Sequence, residues 1–270
     1  MPENRIDATF ARLRAAGDKA LMPYLTAGFP DLDVTADLLV RVSQAGASVI
    51  ELGIPYSDPI ADGPVIQESF TRVLAGGLRV QDVFDMVRRV RADVAAPILS
   101  MVSFSIVHRI GVADYVRQAA DVGFDGLILP DLSLEEAPDI AEQTASAGLR
   151  LAMLVTPTSS PDRFERIARI SQGFVYYVSV AGITGERDRL PPALRDNVRR
   201  LRQIGGKPVC VGFGIAGPKH VRQVCQVADG VIVGSAIVRR ITAAADAGTP
   251  ADAIVRLVTD FVAELATGLS

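Results

Sequence analysis

The sequence predicts an α/β fold of the closed (β/α)8, or TIM, barrel type, in a single domain over residues 1–270. Three observations carry this expectation. Apolar residues switch repeatedly between a strand-like period of two and a helix-like period of 3.6. Eight such units fit within 270 residues, the usual size of one barrel. No Gly/Ser-rich linker or break in composition divides the chain. The competing architecture, an open doubly wound sheet, ordinarily carries a glycine-rich dinucleotide fingerprint in its first βα turn. Here that turn reads Thr26-Ala27-Gly28-Phe29-Pro30 and lacks it.

Taken in order, the strands are expected at Ala20–Thr26, Ser48–Ile54, Pro97–Phe104, Gly126–Asp131, Arg150–Thr156, Phe174–Val180, Pro208–Phe213 and Gly230–Gly234. Amphipathic stretches between them include Asp33–Ala45, Val112–Val122, Leu134–Ala147, Pro161–Ile170, Pro192–Ile204 and Pro218–Val227, with Ala251–Leu265 closing the chain. Thr158-Ser159-Ser160-Pro161 offers capping hydroxyls before a first-turn proline, and Gly217-Pro218 makes a similar start without the hydroxyl. Gly46, Gly123 and Gly148 follow helical runs, where a left-handed C-terminal residue is needed. Glu135 and Glu136 fit the acidic first turn of a helix, and Arg88, Arg89 and Arg91 a solvated helix face.

Composition excludes several functions. Basic residues number 28 against 31 acidic, and 6% of residues are aromatic, which gives no electrostatic footprint for nucleic acid. No apolar run approaches the ~20 residues that span a bilayer, and Met1–Ala16 lacks the apolar core of a secretory signal. Cys210 and Cys225 suit neither a disulfide scaffold nor a metal site, and His108 and His220 are isolated. The expectation is a cytoplasmic protein with no metal.

Chemistry in such barrels sits at the C-terminal ends of the strands. On the second strand Ile50, Leu52 and Ile54 share one face, so Glu51 must project into the barrel. A carboxylate there is either a buried structural ion pair or, with its pKa raised by burial, a general acid/base. The following loop, Pro55-Tyr56-Ser57-Asp58-Pro59-Ile60-Ala61-Asp62-Gly63-Pro64, is stiffened by three prolines. It holds Asp58 and Asp62 near the same mouth, each of them either a turn residue, before Pro59 or Gly63, or a second acid in the pocket of Glu51. Gly212-Phe213-Gly214-Ile215 and Gly234-Ser235-Ala236 end the last two strands, the usual phosphate position. Ala181–Arg189, with Gly182 and Gly185 bracketing Ile183-Thr184, reads as a lid or as an ordinary solvated loop.

The run Glu51–Pro64 closely resembles the signature of the tryptophan synthase alpha subunit family. So do Pro23-Tyr24-Leu25-Thr26-Ala27-Gly28, Gly182-Ile183-Thr184-Gly185, Gly212-Phe213-Gly214-Ile215 and Gly234-Ser235-Ala236-Ile237-Val238, in the family's order and spacing. The resemblance implies retro-aldol cleavage of indole-3-glycerol phosphate to indole and glyceraldehyde 3-phosphate, in tryptophan biosynthesis. It further implies Glu51 as the acid/base and Asp62 as the carboxylate beside the indole N–H. Tyr24 and Tyr176 correspond to pocket-lining aromatics, and Thr184 to the lid residue that positions Asp62. Gly185, Phe213, Gly214, Gly234 and Ser235 correspond to the phosphate cradle. No cofactor is implied, since the family's pyridoxal phosphate belongs to its beta subunit, the expected partner in an alpha2beta2 heterotetramer.

One segment departs from the family. Where strand three usually ends in Tyr-x-Asn, this chain has Ser103 and Ser105, in a region that borders the indole pocket and the beta interface. That leaves open a free-standing indole-forming lyase of a secondary pathway beside a synthase subunit with an altered partner surface. Two other readings are a phosphosugar isomerase or aldolase, and a non-catalytic phospho-ligand-binding regulatory subunit. Lys19, Lys207 and Lys219 all avoid the strand ends, so no Schiff-base lysine favours an aldolase of that type.

Overall fold

A computed structural model describes residues 3–60, 62–179, 192–212 and 214–269. Helix α1 (Arg5–Ala16) precedes strand β1 (Ala20–Thr26); α2 (Leu32–Gln44) leads to β2 (Ile50–Gly53). Then come α3 (Pro64–Ala75), α4 (Val80–Val90), β3 (Ile98–Met101), α5 (Phe104–Ile110), α6 (Val112–Val122) and β4 (Gly126–Ile128). The second half continues through α7 (Ala137–Ser146), β5 (Arg150–Val155), α8 (Pro161–Ile170), β6 (Val175–Val178), α9 (Pro192–Gly205) and β7 (Val209–Gly212). It ends with α10 (Pro218–Cys225), β8 (Gly230–Val233), α11 (Ser235–Asp246) and α12 (Ala251–Ala266). The eight strands close in sequence order, β1 pairing in parallel with both β2 and β8. Among the described residues no helix is long and apolar enough to cross a membrane.

Alternation along the strands sorts the core into two clusters. Ile50, Leu52 and Ile54 join the layer between strands and helices, whereas Ala20, Met22, Val49, Leu99, Ile128, Phe174 and Cys210 fill the barrel interior. Helix α1 closes the N-terminal end of that interior with Ile6, Phe10 and Leu13, spaced to share one helix face. Asn4 holds it there, accepting from Ile6 N and donating to the carbonyls of Asp125 and Gly148 at 2.8 and 2.7 Å. With this end plugged, ligands reach the interior from the C-terminal mouth.

Two buried-edge carboxylates brace the plugged end in matching fashion. Asp125, just before β4, accepts from Ile98 N at the start of β3 and from Arg91. Asp229, just before β8, accepts from Val209 N at the start of β7 and from two nitrogens of Arg202. Each Asp precedes a glycine that cannot cover it. Arg91 therefore belongs to an enclosed ion pair, not to the solvated face expected for it with Arg88 and Arg89, which are exposed.

Several strands end sooner than the apolar pattern implies. Ile54, Val102 and Leu129 are buried but lie past the ends of β2, β3 and β4. They pack beneath the βα loops, so their burial extends the apolar run without extending the ladder. Glu135 and Glu136 precede α7, whose first-turn acid is Asp139. Ser160 caps α8 and Gly217 starts α10, as expected. Gly46, Gly123 and Gly148 have φ of 109°, 99° and 82°.

Candidate active site

Glu51 lies on the interior face of β2 and is fully buried, at 0% exposure. Neither of its carboxylate oxygens has a hydrogen-bond partner among the described residues. Burial pushes its pKa well above the ordinary range, so the protonated form is favoured. The structural ion pair that was an alternative at this position is not formed among the described residues. Across the ladder, Tyr24 on β1 is its register partner.

Tyr24 occupies space that only glycine leaves free. A β-carbon on Gly53 would collide with the Tyr24 hydroxyl and ring edge. On the other side of the barrel, one on Gly212 would lie 2.6 Å from the Tyr176 hydroxyl. The two interior glycines thus admit two tyrosine rings at the level above Glu51, making a polar, aromatic-walled chamber.

Asp62 enters from the loop after β2. Its Oδ2 accepts from the Tyr56 hydroxyl at 3.2 Å. Burial raises its pKa to about 6, partly offset by that hydrogen bond. The loop is held by Gln67 on α3, whose side-chain amide donates to the carbonyls of Pro59 and Asp62 at 3.1 and 2.8 Å. Tyr56 itself packs on Phe70, ring centroids 5.4 Å apart. Asp58 is exposed and accepts from the Ser57 hydroxyl, which makes it a turn residue and not a second chamber acid. Neither Tyr56 nor Gln67 carries a role that its residue type alone announces in the sequence. The signal for both was position, six residues before and five after Asp62.

Gly214 follows β7 with φ of 76°, a left-handed conformation suited to glycine. Gly234 starts α11, with Ser235 its first helical residue. The two loops lie side by side because β7 and β8 are paired. Helix α11 directs its first backbone N–H groups at the mouth, an arrangement that suits an anion. Thr184, Gly185, Phe213 and the expected lid Ala181–Arg189 lie outside the described residues.

At the mouth beside β3, Ser103 caps α5 and donates to Asp131 Oδ2 at 2.7 Å, while Phe104 N donates to Asp131 Oδ1 at 2.6 Å. Ser105 is 2.7 Å from Ser103, hydroxyl to hydroxyl. Both small residues are thereby committed to the rim. Cys210 and Cys225 are buried and free, without a place in the chamber chemistry.

Comparison with known proteins agrees with this architecture. The family model described as Tryptophan synthase alpha chain matches residues 10–265. A tryptophan synthase alpha chain of Rhodopirellula baltica is 51% identical over 237 residues, which are 87% of this chain and 85% of that relative. The solved tryptophan synthase subunit alpha of Legionella pneumophila superposes with a TM-score of 0.89 at 36% identity, over 98% of each chain. A structure of Mycobacterium tuberculosis tryptophan synthase gives 0.88 at 33% identity, over 99% of this chain and 98% of that one. Matched along nearly its whole length by a family model and a half-identical relative, the chain belongs to the tryptophan synthase alpha chain family.

Proposed function

We propose that Glu51 and Asp62 divide the work of cleaving indole-3-glycerol phosphate, the carbon–carbon lyase reaction of this family in tryptophan biosynthesis. The observation that carries the reading is Glu51 itself, fully buried inside the barrel with both oxygens unpartnered. Such a group costs stability unless a ligand engages it. Its raised pKa keeps a proton available, as the first step requires.

In that step Glu51 assists proton delivery to ring carbon C3, which becomes tetrahedral and leaves positive charge on the ring nitrogen. Asp62, ionised above about pH 6, lies beside that nitrogen and stabilises charge that develops only along the reaction path. Glu51 then takes the proton of the hydroxyl next to the ring. The bond between C3 and the hydroxyl-bearing carbon breaks, its electron pair restores the aromatic ring, and that carbon becomes the aldehyde. The products are indole and glyceraldehyde 3-phosphate, with no net proton consumed. Gly214, Gly234 and Ser235, together with Gly185 and Phe213, hold the phosphate through backbone N–H groups and orient the substrate. Tyr24 and Tyr176 wall the ring pocket, and Thr184 positions Asp62.

The partner belongs to the same reading: a tryptophan synthase beta subunit, in an alpha2beta2 assembly. The relatives support it, being tryptophan synthase alpha chains. Indole formation by the purified chain, without and with saturating beta subunit, tests both parts. Turnover that the partner raises many-fold supports the assembly. Strong turnover indifferent to the partner makes the chain a free-standing lyase, and binding without turnover in either case refutes the catalytic reading.

A further inference from the structure

The inference concerns Tyr24 and rests on the reading of Glu51 given above. Among the described residues, the buried side-chain atoms without a hydrogen-bond partner are the two Glu51 oxygens and the hydroxyl of Tyr24. The cleavage reaction employs the first two and leaves the third unexplained. Burying a hydroxyl unpaired costs stability, and phenylalanine would fill the same wall without that cost.

The position of the hydroxyl narrows what it can meet. Tyr24 is 4% exposed and pairs in register with Glu51. Its ring leans over Gly53, the next interior position on β2 toward the mouth. The hydroxyl therefore sits one level above Glu51, on the side from which the Asp62 loop descends. Burial, then the carboxylate of Asp62, push its pKa well above the ordinary value, with the Thr26 side chain acting the other way; the Thr26 hydroxyl is itself paired with Ser69 at 2.8 Å, so the Tyr24 hydroxyl stays protonated and offers a hydrogen.

The substrate's side chain carries two adjacent hydroxyls. The one next to the ring gives its proton to Glu51; its neighbour takes no part in bond making or breaking. We propose that the Tyr24 hydroxyl donates a hydrogen bond to this second hydroxyl, so that Glu51 and Tyr24 together read the diol and Tyr24 is a specificity-determining residue. Fixing both hydroxyls fixes rotation about the side chain, holding the breaking bond upright on the ring plane, where its electron pair can enter the aromatic system.

The test uses the Glu51→Gln protein, in which substrate binding is measured without turnover. Adding Tyr24→Phe is expected to weaken binding of indole-3-glycerol phosphate about tenfold, the worth of one such hydrogen bond. Binding of indole-3-propanol phosphate, which has the ring and phosphate but neither hydroxyl, is expected to stay within about twofold. Equal weakening of both ligands would make Tyr24 a packing residue and overturn the proposal; no change in either would show the hydroxyl unused and overturn it as well. Residual turnover by Glu51→Gln near the wild-type rate would instead refute the reading of Glu51, a separate failure.

Discussion

The hydroxyl of Tyr24 lies where a β-carbon on Gly53 would have to sit. This one contact couples two strands at the level of the chemistry, and it explains a glycine at the end of an otherwise bulky strand. Gly53→Ala is expected to cost about 1–3 kcal/mol of stability, as overpacking does, and to lower kcat/KM by at least about tenfold through displacement of the ring. Combined with Tyr24→Leu, the stability loss should fall short of the sum of the single changes, because the two residues share one space. Denaturant titration of the four proteins checks this.

Tyr56 donates to Asp62 and holds its pKa below where burial alone would put it. Removing a donor to a carboxylate raises its pKa. Tyr56→Phe should therefore move the acid limb of the kcat/KM profile, near pH 6 in the parent, upward by ~0.5–1 unit. The pH profile of indole release measures this directly. A limb that does not move would remove Asp62 ionisation from the account.

Much of this arrangement was legible in the sequence, because a strand with aliphatics on one face and a carboxylate on the other has few ways to fold. The inward direction of Glu51 followed from the alternation of Ile50, Leu52 and Ile54 alone. The orphaned Tyr24 hydroxyl was not legible, since it depends on which residue of β2 stands beside it in the ladder. Strand ends were overrun at Val102 and Leu129 because burial beneath a loop looks the same in sequence as burial in a sheet. Helix α1 is hard to read from the sequence although Ile6, Phe10 and Leu13 carry helical spacing, because its charged exposed face masks that narrow stripe. Helix α3 was likewise hidden behind the proline-rich loop it follows.

A buried acid with a raised pKa makes stability depend on pH in a fixed direction. As pH climbs above the ordinary value of 4.5, the unfolded chain releases the Glu51 proton before the folded one does. The contribution of Glu51 to stability is therefore greatest below that value and is lost as pH rises toward its folded pKa. Glu51→Gln should raise stability at pH 7 by about 1–3 kcal/mol and flatten the decline above pH 4.5. Thermal unfolding at several pH values reads both effects.

The carboxylate braces at the opposite end of the barrel separate folding from catalysis. Asp229→Ala strands the Val209 N–H and the Arg202 guanidinium, at a cost of about 1–3 kcal/mol. Because this brace is remote from the mouth, kcat/KM of the folded protein should stay within about twofold. A large kinetic loss would show that the plugged end communicates with the chemistry.

The central claim is that Glu51 moves the protons of carbon–carbon cleavage. The most direct measurement is indole release from indole-3-glycerol phosphate by Glu51→Gln, a substitution that keeps shape and removes the exchangeable acid. The account predicts a loss of about a hundredfold to ten-thousandfold in kcat, the typical worth of a positioned acid/base, with indole-3-propanol phosphate still bound. Turnover within tenfold of the parent would contradict it.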